Sequence, residues 1–398
     1  MCKHGFLSLL LILCMLFSVF AFAACEKSGE DATTVPDTEP EATVSETTVP
    51  ETTEATTERP APVPNTFYPF YENSDSVKLL GRSRFYKSAV ALDWTAAGLA
   101  FDFEGSGDLK MSVEYSGGHR VSLEIDVDGK ISTVTVDNSG TVSLASGLAD
   151  GVHHVKVLRR TMAANDTTGL LLSVQGVTMT GYFLDRPADN KYKVAFLGDS
   201  ITCGVGLTGT NGLLTYAIDL CTREGFDYDI CSVSGIGVYH SYKKGGYSEN
   251  TMTKYYPFFN CFRSETLRYF PARQADLVIV NLNTNDNLSM TAADEAPYKE
   301  TLKTLISEVR DAHGENVPIV WIVGMMISPS AQVNRWLNDV FTELGGESAG
   351  LYRITVETNT SGDHNHPDQA SHDAVSQALS AFIREKNLLD LSSAPSAE

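Results

Sequence analysis

Cationic side chains are scarce in this sequence: 30 Lys and Arg stand against 50 Asp and Glu over 398 residues, a formal net charge of −20. A surface of that sign repels phosphate backbones and anionic bilayers, so neither nucleic acid nor an acidic membrane surface is expected as a partner. Neutral substrates such as sugar polymers remain. The seven cysteines include no CxxC pair, which argues against a structural zinc site. No G-x-S-x-G surrounds Ser200, where Ile201-Thr202 follow instead, and this speaks against the nucleophile elbow of an α/β-hydrolase. Residues 26–65 have almost no large apolar side chains and cannot bury a core.

What is present begins with a targeting segment. Lys3 precedes a near-continuous apolar run, Phe6 to Phe22, of signal-peptide length and short for a spanning helix. It ends in Phe22-Ala23-Ala24-Cys25. Small residues before a cysteine read as a bacterial lipobox, with Cys25 lipidated. The plain alternative is cleavage after Ala21-Phe22-Ala23, with Cys25 incidental. Residues 1–24 are thus expected to be a lipoprotein signal peptide, and 25–66 a Thr/Glu/Pro-rich tether. Some 40 coil residues span roughly 35 Å, more when carboxylates repel. The expected location is extracytoplasmic, a cell-surface lipoprotein on a bacterial membrane. Cys203, Cys221, Cys231 and Cys261 remain for the folded part; they can pair in three ways or serve as small buried apolar residues.

Residues 67–186 read as all-β. Alternating runs such as Leu99-Ala100-Phe101-Asp102-Phe103, Leu109-Lys110-Met111-Ser112-Val113 and Val121 to Val127 read as separate strands, divided by turn signals such as Asp128-Gly129. Regular strands without helical periodicity predict a β-sandwich of jelly-roll kind. From residue 187 to 390 the pattern alternates. Apolar strands at 193–197, 228–233, 276–282, 319–323 and 351–356 are interleaved with helices at 213–223, 298–312, 333–344 and 369–386. This predicts a parallel, flavodoxin-like α/β/α domain with its site at the carboxyl ends of the strands. Residues 391–398 are expected to be a tail.

Four strand ends carry polar residues suited to ester chemistry. Gly198-Asp199-Ser200 offers a hydroxyl nucleophile, which needs a base and a group that orients the base. Asp363 and His366, three apart, can supply both. The backbone N–H groups of Ser200 and Gly237 and the amide of Asn285 can stabilise an oxyanion. The bland readings are a Gly-Asp-Ser turn, a self-bonded Asn285-Asp286 loop, and Asp363–His366 as a helix cap. A metal held by His364, His366 and His372 is disfavoured because the spacing is no standard ligand set.

Phe196-Leu197-Gly198-Asp199-Ser200-Ile201-Thr202 resembles the first block of the SGNH (GDSL-like) hydrolases. Gly237, Asn285 and Asp363-x-x-His366 are similar to the later blocks, and Gly147 to Val157 to the sandwich of carbohydrate esterase family 2. Thr202-Cys203-Gly204 and His366-Pro367 followed by His372 also look like that family. The resemblance covers roughly 68–387. It implies an acetyl esterase acting on xylan- or mannan-type polysaccharide through a Ser200–His366–Asp363 triad, without cofactor or metal. Asn283 replaces the usual glycine of the third block, which would reshape the oxyanion region. In that family either a carboxylate or a backbone carbonyl orients the histidine.

Between 237 and 271 lies an aromatic-rich connection, from which Tyr239, Tyr255 and Tyr256 are taken as candidate sugar contacts. The partner is expected to be an acetylated polysaccharide or oligosaccharide. The membrane is reached only through the lipid, and the protein is expected to be a monomer. Other readings are an SGNH esterase for lipid or peptidoglycan O-acetyl groups, or a catalytically idle carbohydrate-binding lipoprotein.

Overall fold

The computed structural model describes residues 61–164, 170–259 and 268–392. Cys25, the signal segment, most of the tether and Cys261 lie outside them. Nine strands make the first half: β1 (Thr66–Pro69), β2 (Lys78–Leu80), β3 (Arg84–Tyr86), β4 (Ala89–Ala91), β5 (Gly98–Tyr115), β6 (Val121–Val127), β7 (Lys130–Val136), β8 (Gly140–Arg159) and β9 (Leu172–Phe183). All pair antiparallel, in the order β3-β4-β9-β5-β8-β6-β7, with β1 on β9 and β2 on β5. A jelly roll was expected as two stacked sheets. Here hydrogen bonding runs unbroken through all nine strands, and the one sheet curls over its own core. The runs at Leu99 and Leu109, read as two strands, are one strand, β5, whose register against β8 shifts between Gly105 and Lys110. Such bulges bend a strand. Asp128 and Gly129 both adopt positive φ, as a tight β6–β7 hairpin requires.

The second half alternates: β10 (Lys193–Gly198), α1 (Tyr216–Glu224), β11 (Asp227–Ser232), β12 (Ser241–Lys243), β13 (Gly246–Ser248), β14 (Leu277–Asn281), α2 (Glu295–His313), β15 (Ile319–Met325), α3 (Ala331–Glu343), β16 (Leu351–Thr358) and α4 (Gln369–Glu385). The main sheet is parallel, in the order β11-β10-β14-β15-β16. Its central strands β10, β14 and β15 are apolar on both faces, as a sheet covered by helices needs. Burial of β10 and β14 is complete but for Lys193. The expected tail starts too early, because Leu391 is buried. Cys203, Cys221 and Cys231 are free and buried, so they serve as small apolar residues. No helix among the described residues is long and apolar enough to cross a membrane.

The two halves pack as one compact unit. Leu158 of β8 joins Val194 and Phe196 of β10 in one apolar cluster. Arg82, from the first half, is buried and stacks over Tyr269 at 3.6 Å from the ring centroid. It donates to the Tyr256 carbonyl at 2.7 Å and lies 4.0 Å from Asp229. Burial pushes the Asp229 carboxyl up, but Arg82 and Lys193 overcome it and hold the group below its usual range. Removing Arg82 leaves the buried Asp229 carboxylate with Lys193, 3.9 Å away, as its remaining cation. Arg82→Met is therefore expected to destabilise the protein by about 3–5 kcal/mol in urea unfolding. A loss below about 1 kcal/mol would mean that the pair contributes little.

Candidate active site

The turn after β10 projects Ser200 at the carboxyl edge of the sheet, and the loop between β16 and α4 brings His366 to it. His366 Nε2 lies 2.8 Å from Ser200 Oγ. Three contacts fix this approach. The N–H of Asp363 donates to the Gly206 carbonyl at 3.0 Å, and that of Gly362 to the His366 carbonyl at 2.8 Å. At Gly206 (φ 99°) a Cβ would sit 2.6 Å from His366 Cβ, so only glycine admits the histidine loop here.

The orienting group is not the expected carboxylate. His366 Nδ1 meets the carbonyl oxygen of His364 at 3.0 Å. Asp363 is exposed and contributes only backbone: its carbonyl accepts the His366 N–H at 3.2 Å. The physical reason is local. Residues 363–365 form a 3₁₀ turn in which His364 and Asn365 both have φ 57°. This left-handed pair turns the His364 carbonyl back onto the ring and defeats the one-face geometry that the i, i+3 spacing implied. Burial lowers the His366 pKa from its ordinary value, and the His364 carbonyl only partly opposes it. The ring is neutral at neutral pH and able to take a proton.

The oxyanion candidates divide. Among the described residues the Ser200 N–H has no acceptor. The Gly237 N–H is committed to Ser241 Oγ at 2.9 Å, so the expected role of Gly237 is corrected. A Cβ at Gly237 would lie 2.8 Å from Asp286 Oδ2, which makes it a packing glycine. Gly235, two residues earlier and partly exposed, has a free N–H among the described residues. Asn285 Nδ2 donates to the Ile236 carbonyl at 2.7 Å and to Asp199 Oδ2 at 3.2 Å. Its amide therefore bridges the serine turn and the glycine loop. Asn283, at the usual glycine position, takes φ 85°, a conformation that asparagine tolerates. Its buried side chain accepts from the Tyr298 hydroxyl at 3.0 Å.

Two buried carboxylates frame Asn285. Burial pushes Asp199 up to about 7, with neighbouring Asp286 adding to the rise. Asp286 accepts the N–H groups of Val238, Tyr239 and His240 at 2.8, 2.7 and 2.8 Å. Burial raises it, while those three donors oppose the rise. Asp286 was legible only as half of a self-bonded Asn-Asp turn. In fact it anchors the glycine loop, and no spacing rule signals a contact across 47 residues.

The tyrosines also separate. Tyr255 and Tyr256 are each 2 % exposed and belong to the core, which corrects their assignment as sugar contacts. Tyr239 is half-buried and stacks on His240, centroids 4.5 Å apart. The other face of His240 carries Tyr247 at 3.5 Å. Tyr247 opposes Tyr242 across the β12–β13 hairpin, and these two are 47 % and 60 % exposed. The Tyr242 N–H donates to the Gly235 carbonyl at 2.7 Å. The hairpin thus hangs directly on the glycine loop. His364 is exposed, His366 faces Ser200, and the buried His372 accepts the Tyr216 N–H at 3.1 Å. The three rings serve separate ends, and no group of three metal-ligating side chains occurs among the described residues.

Residues 196–388 match the GDSL-like lipase/acylhydrolase family, and residues 79–180 match the carbohydrate esterase 2 N-terminal domain. This chain joins a carbohydrate esterase 2 N-terminal domain to a GDSL-like hydrolase domain. The resemblance read from the motifs is thereby confirmed. The cellulase/esterase CelE of Acetivibrio thermocellus is 29 % identical over 324 residues, covering 74 % of this chain. The chain spans 37 % of that relative's length. A family two carbohydrate esterase from Clostridium thermocellum, solved with cellohexaose, is 26 % identical with a TM-score of 0.68, covering 79 % of this chain and all of that one. The acetyl xylan esterase Est2A of Butyrivibrio proteoclasticus shares the fold at 20 % identity, TM-score 0.72, covering 82 % of this chain and 99 % of its own.

For the GDSL-like domain the lowered His366 pKa has a direct readout. In an NMR titration the imidazole should reach half-protonation below the ordinary value of about 6.5. A midpoint at or above that value would contradict the desolvated setting.

Proposed function

We propose that this protein is a carboxylic-ester hydrolase that removes O-acetyl groups from a neutral polysaccharide of xylan or mannan type. The observation that carries the reading is the 2.8 Å contact between Ser200 Oγ and an imidazole whose other nitrogen is held by a backbone carbonyl. The names of the relatives support the substrate class: a cellulase/esterase, an acetyl xylan esterase, and a carbohydrate esterase solved with a cello-oligosaccharide.

In this reading Ser200 Oγ adds to the acetyl carbonyl while its proton passes to His366 Nε2. The carbonyl π pair becomes the oxyanion, which the N–H groups of Ser200 and Gly235 and the Asn285 amide stabilise. Asn285 must release one of its present acceptors to do so, and the longer bond to Asp199 is the one to yield. Collapse expels the sugar hydroxyl, protonated by His366, and leaves an acetyl-serine. Water then repeats the sequence, with His366 again as base, and releases acetate. The His364 carbonyl fixes the tautomer and supports the imidazolium through its dipole, so no carboxylate is required. Tyr242 and Tyr247 replace the buried tyrosines as the proposed sugar platform, because each presents a flat apolar face with a polar tip. We further propose that Cys25 carries a lipid anchor, that the protein stands on a bacterial cell surface, and that it acts as a monomer.

The test is acetate release from acetylated xylan and glucomannan. Ser200→Ala and His366→Ala should each lose about 10³-fold or more in kcat. Asp363→Ala should lose less than about tenfold, since its carboxylate does not touch the ring. Equal release by wild type and Ser200→Ala would end the proposal, and a loss at Asp363 as large as at His366 would restore the carboxylate triad. Activity should fall only as His366 becomes protonated. Because its pKa is lowered, the acid limb of kcat/KM should lie below about pH 6.5. Tyr242→Ala and Tyr247→Ala should raise KM on polymer while leaving a small acetyl ester unaffected. An octanoyl ester preferred over an acetyl ester would favour a lipid substrate.

A further inference from the structure

Thr95 belongs to the curled-sheet domain, yet it is fully buried and lies against the Gly212 turn of the hydrolase domain. Two backbone segments of the sheet domain meet around it, 92–97 and 159–163. The buried Arg159 gathers them. Its Nη1 donates to the carbonyls of Leu92 at 2.9 Å and Asp93 at 2.8 Å, and its Nη2 to the Met162 carbonyl at 2.7 Å. The Ala96 N–H donates to the Arg159 carbonyl at 3.0 Å, and the Ala163 N–H to Thr95 Oγ1 at 3.2 Å. The result is a braced surface of fixed shape.

Gly212 of the hydrolase domain rests on that surface. Its N–H donates to the Arg160 carbonyl at 2.8 Å. A Cβ on Gly212 would run into Thr95 Cγ2, well inside van der Waals contact. The next atoms, the carbonyl oxygens of Arg160 and Cys203, lie at 3.4 and 3.5 Å. Asn211 precedes Gly212, and its backbone presses on Gly204: a Cβ at Gly204 would sit 2.5 Å from the Asn211 carbonyl carbon. Gly204 lies in the serine turn, where its N–H donates to the Ile201 carbonyl and the Val205 N–H to that of Ser200, both at 3.0 Å. Two residues on is Gly206, against which His366 packs. Between the Thr95 methyl and His366 Cβ the path thus runs through backbone alone, at three glycines. No flexible side chain lies between to absorb a displacement.

We propose that Thr95 is a positioning residue for the Ser200–His366 pair, acting through Gly212. The sheet domain would then be part of the catalytic mounting and not a detachable module. This rests on Ser200 being the nucleophile. A shift of a few tenths of an ångström at Gly212 passes to the serine turn, and misplacement by about 1 Å is worth some 100-fold in rate.

The test is compensation across the domain boundary. Gly212 does not adopt positive φ, so alanine is tolerated by its backbone and the strain comes from Thr95 alone. Gly212→Ala should lower kcat for p-nitrophenyl acetate at least about tenfold with KM within about twofold. Thr95→Ser removes Cγ2 and keeps the hydroxyl that Ala163 uses. The double variant Gly212→Ala/Thr95→Ser should recover kcat to within about threefold of Thr95→Ser alone. Labelling of Ser200 by a fluorophosphonate is measured in parallel. A wild type that is neither labelled nor active defeats the nucleophile assignment itself. A labelled, active wild type with an unchanged kcat in Gly212→Ala overturns the proposal, as does a double variant no better than Gly212→Ala. If Gly212→Ala does not fold, Thr95→Ile enlarges the same contact from the sheet side. A lowered kcat at constant KM would then support the proposal, and an unchanged kcat would overturn it.

Discussion

The docking of the His366 loop on Gly206 is the contact on which the site depends. Ser200 and His366 are separated by 166 residues, and each sits in a loop that has no regular structure to fix it. Their hydrogen bond exists because the Gly206 carbonyl accepts from Asp363 and because Gly206 has no side chain to keep His366 away. Parallel-sheet topology delivers both loops to one rim. The last few ångströms come from glycine.

Around this contact the protein places buried charge where water would otherwise loosen the loops. Asp286 collects three consecutive N–H groups and so holds the 235–240 loop in one conformation. Asp199 holds Asn285 and the Ile201 N–H. A buried carboxylate is costly unless its acceptor sites are filled, and the donors that fill them belong to the loops being held: three backbone N–H groups at Asp286, and the Ile201 N–H with the Asn285 amide at Asp199. The same device recurs with opposite sign in Arg159, which collects carbonyls. The cost of burying Asp286 is offset by order in the 235–240 loop, and that of burying Arg159 by order in the sheet-domain segments around Thr95.

The sequence made the hydrolase half legible almost strand by strand, because apolar runs of five or six residues between amphipathic helices admit few other folds. The nucleophile motif and His366 stood at the strand ends that the fold requires. Legibility failed where one residue type serves two physical purposes. Tyr255 and Tyr256 are as aromatic as Tyr242 and Tyr247, and only tertiary packing decides which pair goes into the core. Gly235 and Gly237 are equally permissive in sequence. One leaves an N–H open, and the other makes room for Asp286. Asp363 has the right spacing for a triad, but two left-handed residues after it turn a carbonyl, not the carboxylate, toward the ring. β5 was split because Gly105 and Gly107 mark a bulge as readily as they mark a turn.

The most direct measurement is stoichiometric reaction with a serine-directed fluorophosphonate, followed by peptide mass mapping and assay of residual hydrolysis. The account predicts one adduct, on the peptide containing Ser200, with esterase activity falling in proportion to labelling. An adduct on another residue, or hydrolysis that survives complete modification of Ser200, would contradict it.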